Sequence, residues 1–230
     1  MGNVIITIIE VMAAVAVGVL AGHAVVYVFN RIPAKWLCDY DEEPDERLKD
    51  TSVQRIKGYP WKLAFSGFFA AGAISLVFYD WQFCAAAVVF CWALLIIAIA
   101  DGKYGIVPDQ FVILTAISAM GFIPFHDSPV QPVLGALLGA GVMLLSALAG
   151  KIIFKRETLG FGDVKLFAAA GLALGFEGTL AVLIMSSVIS ALVFSIRLIR
   201  KKIRKDDMQP LGPYICGAGI FYVVIIWPLL

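Results

Sequence analysis

The chain has 230 residues, 61% of them hydrophobic and only 15% charged, with a net charge of +1. Soluble domains run near half apolar and a quarter charged, so the surplus apolar material has to face lipid rather than water. So small a net charge leaves no global field for a nucleic-acid partner, and four cysteines without metal-ligand spacing argue against a zinc site or a disulfide scaffold.

Apolar runs occupy residues 4–29, 61–79, 83–100, 111–125, 130–149, 164–176, 180–196 and 214–230. Most approach the roughly 20 helical residues that cross a hydrocarbon core, and lipid offers no partner for free backbone groups, so each run predicts a helix. The first run is not a secretory signal. No basic residue precedes it, it is too long, and Arg31 and Lys35 come after it, so it reads as a retained span.

Residues 30–60 form the longest polar segment. They carry an acidic cluster of Asp39, Asp41, Glu42, Glu43, Asp45 and Glu46, which by default is a solvated surface. Further along, Gly135 with Gly139 and Gly171 with Gly175 repeat at the four-residue spacing that lets helix backbones approach closely.

When the loops are assigned to alternate sides, all 18 Lys and Arg residues fall on one of them. Seven lie from Arg31 to Lys62, then come Lys103, Lys151, Lys155, Arg156 and Lys165, and six lie from Arg197 to Lys205. The opposite turns show Asp80, Asp127 and Glu177 but no basic residue. Positive charge marks the cytoplasmic face. The expected architecture is all-α: a polytopic membrane helical bundle of about eight transmembrane helices, both termini extracytoplasmic. Residues 1–230 make a single integral-membrane domain with residues 30–60 as a cytoplasmic loop.

Two carboxylates do not belong in a loop. Asp101 ends the uninterrupted apolar run Leu94-Leu95-Ile96-Ile97-Ala98-Ile99-Ala100, and Asp163 stands in Gly160-Phe161-Gly162-Asp163-Val164-Lys165 where the sixth run begins. A carboxylate within a span costs about 2.5–3.5 kcal/mol on insertion scales and marks function by default. Both fall at the cytoplasmic ends of their helices, so they can meet. Peptide hydrolysis by carboxylates needs one ionised group to take a proton from water and one protonated group to polarise the carbonyl. Two close aspartates supply this, because mutual repulsion keeps one protonated while the other stays ionised. Gly160 and Gly162 would let an extended backbone approach Asp163 and permit unusual dihedrals there. Taken singly, each aspartate also has a structural explanation. Asp163 could cap its helix or pair with Lys165, and Asp101 could pair with Lys103. Of the two histidines, His23 reads as a polar residue of the bundle and His126 as an exposed turn residue.

At this point the sequence resembles the type IV prepilin peptidases, which share Gly-x-Gly-Asp with presenilin and signal peptide peptidase. Asp101, eight residues before the second member of Pro108-Asp109, resembles the family's first catalytic segment. Gly160-Phe161-Gly162-Asp163-Val164-Lys165, continuing through Gly171 and Gly175, resembles the second. Pro210-Leu211-Gly212-Pro213-Tyr214 resembles the Pro-Phe-Gly-Pro element before the last span, and Gly18, Gly22 and Asn30-Arg31-Ile32-Pro33 resemble the end of the first.

The resemblance implies that Asp101 and Asp163 are the catalytic pair. It makes Asp109 a nearby, non-catalytic acidic residue, and Lys165 and Pro213 supporting positions. It implies an aspartic endopeptidase of the plasma (inner) membrane that faces the cytoplasm and needs no cofactor for proteolysis. The substrate it implies is a prepilin, or a pseudopilin or competence protein, with a basic leader joined to a hydrophobic helix. Membrane lipid is the other expected partner, and nucleic acid is not one. Many bacterial members carry two Cys-x-x-Cys pairs in the first cytoplasmic loop and methylate the new N-terminus. Here that loop holds only Cys38, so no zinc site is expected, and S-adenosylmethionine enters only if methylation is retained. The first span shows Gly22-His23-Ala24 in place of the usual Gly-Ser-Phe. The acidic loop either attracts the basic leader or is merely solvated. The rival function is a carrier whose paired carboxylates bind a proton or cation, although no matched pair of broken spans supports that architecture.

Overall fold

The computed structural model describes residues 2–39, 43–50, 53–155, 159–201 and 209–230. Asp41, Glu42, Arg156 and part of the basic run from Arg197 to Lys205 lie outside the described residues.

Among the described residues the structure is helical throughout. Helix α1 (Gly2–Arg31) ends as Pro33 approaches, because the residue before a proline is pushed out of helical geometry. A single 3-10 turn (Ala34–Leu37) and the short α2 (Glu46–Lys49) follow. Then come α3 (Trp61–Val77), α4 (Trp81–Tyr104), α5 (Asp109–Ser118), α6 (Gln131–Phe154), α7 (Phe161–Ile199) and α8 (Gly212–Phe221).

Helix α4 is the axis of the bundle, with Phe90, Ala93, Leu94, Ile96, Ile97 and Ala100 wholly buried between α1, α3, α5 and α8. Asp80 starts it by accepting hydrogen bonds from the Gln82 and Phe83 amides at 2.7 and 3.0 Å. Gly105, in the left-handed region at φ 68°, stops it one turn after Asp101.

The small residues act as packing faces. A Cβ on Gly22 would collide with the Ser66 backbone, and one on Gly135 with the Gly171 carbonyl, while one on Gly139 would stand 2.5 Å from the Phe167 oxygen. Those absent side chains bring α1 against α3 and α6 against α7. Outward-facing residues are large and apolar, such as Leu20, Leu137 and Leu145, which are 65–69% exposed.

Among the described residues, five helices are long and apolar enough to cross a membrane: α1, α4, α6, α7 and the C-terminal helix from Gly212 to Leu229. Helix α3 and the helical stretch Asp109–Gly121 are shorter apolar helices. Eight spans would require both short helices to cross and α7 to cross twice. The sixth and seventh apolar runs are two helical segments within α7 that meet directly at a break at Gly175 (φ 68°, ψ −175°), with no loop between them.

That break is held by the segment before α6. His126 Nε2 donates to the Ala173 carbonyl (3.1 Å), and Gln131 Oε1 accepts from the Phe176 amide (3.3 Å). His126 is therefore half-buried and tilted against Trp227, with ring centroids 5.2 Å apart, rather than an exposed turn residue. His23 receives or donates a hydrogen bond at 2.8 Å to Ser66, where α1 meets α3.

Candidate active site

Asp101 reaches the site from the last turn of α4 and Asp163 from the first turn of α7. Both are almost fully buried, at 5% and 9% exposure. They line one cavity of about 1100 Å³ and lie close enough to act on one another electrostatically. Oδ2 of Asp101 and Oδ1 of Asp163 are buried without a hydrogen-bond partner among the described residues. Leaving a buried carboxylate oxygen unbonded costs about 1–3 kcal/mol or more, so two such atoms on residues that line one cavity ask for a chemical reason.

The structural explanations for each aspartate are removed by where the neighbouring groups go. Gly160, not Asp163, is the N-cap of α7, and the Asp163 side chain makes no capping bond. Lys165 donates to both carboxylate oxygens of Asp109 at 3.0 Å and lies 5.3 Å over the Phe161 ring. Lys103 reaches back to the Arg55 carbonyl at 2.5 Å. Neither aspartate has an ion-pair partner among the described residues.

Of the supporting positions, Asp109, Gly160, Gly162 and Lys165 line the cavity with the pair. Gly160 faces it openly, since a Cβ there would meet nothing nearer than Asp163 Oδ2 at 4.0 Å. Its dihedrals (φ −71°, ψ 141°) are ones any residue adopts. Gly162 is close-packed instead, because a Cβ would stand 2.9 Å from the Val107 Cβ. Pro213 packs near Gly102, the residue after Asp101, with its Cγ 3.5 Å from where a Gly102 Cβ would be.

Gly212 is a site residue that the motif reading passed over in favour of its neighbour. Its amide lies against the Asp101 carboxyl, and a Cβ on it would stand 2.5 Å from Asp101 Oδ2. The first polar loop is also more than a solvated run. Pro33, Lys35, Trp36, Asp39 and Glu43 form a wall of the cavity. Arg55 holds that loop in place by donating to the carbonyls of Phe29, Ile32 and Leu48 at 3.3, 2.5 and 3.0 Å. Asn30 adds a two-way bond with the Ile56 backbone. No sequence pattern links Arg55 to those carbonyls.

Residues 88–196, which contain both aspartates, match the model of the type IV leader peptidase family. The prepilin leader peptidase/N-methyltransferase of Xanthomonas campestris is 33% identical over 153 residues, 65% of this chain and 52% of that protein. The protein of the same name from Burkholderia pseudomallei is 31% identical over 163 residues, 70% of this chain and 52% of that one. The Pseudomonas aeruginosa counterpart is 28% identical over 153 residues, 65% and 51% of the two chains. The chain thus spans about half the length of the curated relatives it matches. No solved structure matches it.

Proposed function

From the match of residues 88–196 to the type IV leader peptidase family, we propose that the chain is an intramembrane aspartyl endopeptidase that removes the basic leader from prepilins or pilin-like proteins. The observation that carries the reading is the pair itself: Asp101 and Asp163 come from separate helices, are buried, have no ion-pair partner among the described residues, and line one cavity.

Such a pair acts by sharing a proton. The ionised aspartate takes a proton from water as the water oxygen attacks the scissile carbonyl. The protonated aspartate gives its proton to the carbonyl oxygen, which carries the developing charge. When the tetrahedral intermediate collapses, the carbon–nitrogen bond breaks and the amine takes the proton held by the first aspartate. The hydroxyl proton returns to the second, so the pair ends as it began. No step needs a metal or cofactor.

We place the cut at the cytoplasmic face of the plasma membrane, with eight spans and both termini outside. The one-sided distribution of all 18 basic residues supports this. So does the break in α7. Unbroken, 39 residues would run about 58 Å, far more than a hydrocarbon core of about 30 Å. It would also put Lys165 and Arg197 on opposite faces. A turn at Gly175 lets both ends return to the basic side. Helix α3, with 17 residues and about 25 Å of rise, crosses only with local thinning of the bilayer.

The test is co-expression with a tagged prepilin, following leader removal for wild type, Asp101→Asn and Asp163→Asn. Asn keeps the shape but cannot exchange the proton. Cleavage by wild type and by neither variant, all present in the membrane, supports the pair. Wild-type rates from either variant make that residue structural and the mechanism wrong.

A further inference from the structure

Beside the catalytic cavity lies a second, apolar hollow of about 430 Å³ between α5, α6 and α7. Val112, Ile113 and Leu172 line it, together with the small side chains of Ala116, Ala136 and Ala168. The catalytic mechanism makes no use of it. Two residues, Asp109 and Lys165, line both spaces, so their ion pair marks the junction between them. The hollow therefore begins two residues along α7 from Asp163. It runs from Lys165 to Leu172, about 10 Å of helix rise away from the pair. Its outer side is open to lipid: Ile113 is 59% exposed.

We propose that this groove seats the apolar helix that follows the cleavage site of the substrate, entering sideways from the bilayer. The inference rests on the leader-peptidase reading and says where the uncut part of the substrate lies. Its argument is continuity and depth. A peptide bond cut at the end of a span must reach the aspartates while the span itself stays in the hydrocarbon. The groove borders the catalytic cavity at the Asp109–Lys165 pair, which lines both, and continues along the same helix into the apolar zone. Alanines at 116, 136 and 168 let a second helix come close, which is how helices associate where lipid removes the hydrophobic driving force. The Asp109–Lys165 pair then meets the first turn of the substrate beyond the cut. An acyl chain is the competing occupant.

Ala116→Trp and Ala168→Trp fill the groove without touching either aspartate. Their kinetics are compared on a full-length prepilin and on a soluble peptide that spans the cut but lacks the helix. The expected result is an about tenfold higher KM for the prepilin, with kcat and peptide cleavage near wild type. Equal behaviour of wild type and variants on both substrates overturns the groove and leaves the peptidase reading standing. Cleavage of neither substrate by the wild type overturns the peptidase reading, and this inference with it.

Because a tryptophan could disturb the fold, a second measurement uses Ile113→Cys in an Asp163→Asn background. Its bifunctional cross-linking to single cysteines along the prepilin helix is compared with Leu20→Cys on α1. Cross-links favouring position 113 support the groove. Equal cross-linking at both positions, or none at 113, means the groove holds lipid only.

Discussion

A Cβ built on Gly212 would stand 2.5 Å from Oδ2 of Asp101. The start of α8 and the carboxyl at the end of α4 fit together only because residue 212 has no side chain. The Gly212 amide lies against that same carboxyl.

Gly212→Ala therefore has to push the Asp101 carboxyl aside. Displacing a reacting group by about 1 Å costs on the order of 10²-fold in rate. Leader removal should fall by about that factor, with the protein still present in the membrane. Gly102→Ala is the control. Its Cβ would meet Pro213 Cγ at an ordinary 3.5 Å, and its activity should stay near wild type. Equal effects of the two substitutions would remove Gly212 from the site.

The second relationship is the clamp between α5 and α7. Lys165 reaches both oxygens of Asp109 at 3.0 Å, and the two side chains are 35% and 31% exposed. A pair so open to solvent contributes modestly, about 0.5–1 kcal/mol of coupling. Asp109→Asn and Lys165→Met should each slow cleavage by a few-fold, and the double variant should be hardly worse than either alone. A double-mutant cycle in kcat/KM measures this. Additive losses would mean that the residues act separately and that the bridge is incidental.

What the sequence makes legible follows from local contrast. Asp101 is visible because it ends a seven-residue apolar run with nothing near it to excuse the charge, and Asp163 because it stands in Gly160-Phe161-Gly162-Asp163 where an apolar run begins. Gly135 and Gly139 are visible because the four-residue spacing is itself the packing face. What stays hidden depends on distant partners. Gly212 and Asp101 are 111 positions apart, and no periodicity joins them. His126 looks like a turn residue until the break at Gly175 gives its ring a carbonyl to hold. Residues 30–60 read as solvated because their anchoring, through Arg55 to carbonyls, leaves no side-chain pattern. The break in α7 is hidden for a similar reason: hydropathy separates two apolar runs, but nothing in them marks Gly175 as the residue with non-helical dihedrals.

Arg55 gives a prediction of its own. Its guanidinium serves three carbonyls at the ends of α1 and α2, which fixes the loop wall carrying Asp39 and Glu43. Arg55→Ala should raise KM about three- to tenfold and leave kcat within about twofold, because the aspartates are untouched. Arg55→Lys should not restore affinity, since a single ammonium cannot reproduce the planar fork. If the rim also attracts the basic leader, apparent KM for wild type rises from low to high salt, and an unchanged value rules attraction out.

The break in α7 can be tested through stability and pH together. Gly175 has φ 68°, and a Cβ on it would stand 2.8 Å from His126 Cε1. Gly175→Ala therefore carries about 1–3 kcal/mol of strain from a positive-φ, extended-ψ conformation that only glycine adopts readily, plus the clash with the ring, and should lower Tm in detergent by several degrees. His126→Ala removes the obstacle but also the bond to Ala173, so the double variant should lose less than the sum of the singles. Burial pushes the His126 imidazole below its ordinary value, against weaker opposing pulls from the Ala173 carbonyl and Asp127. A histidine depressed in the fold resists protonation there more than in the unfolded chain. Its contribution is complete above the ordinary value of about 6.5 and is lost as pH falls below it. Wild-type Tm should decline over that acidic window, and His126→Gln should decline less. A wild-type Tm flat from neutral pH down to about 5, or an equal decline in the variant, would show that His126 does not hold the break.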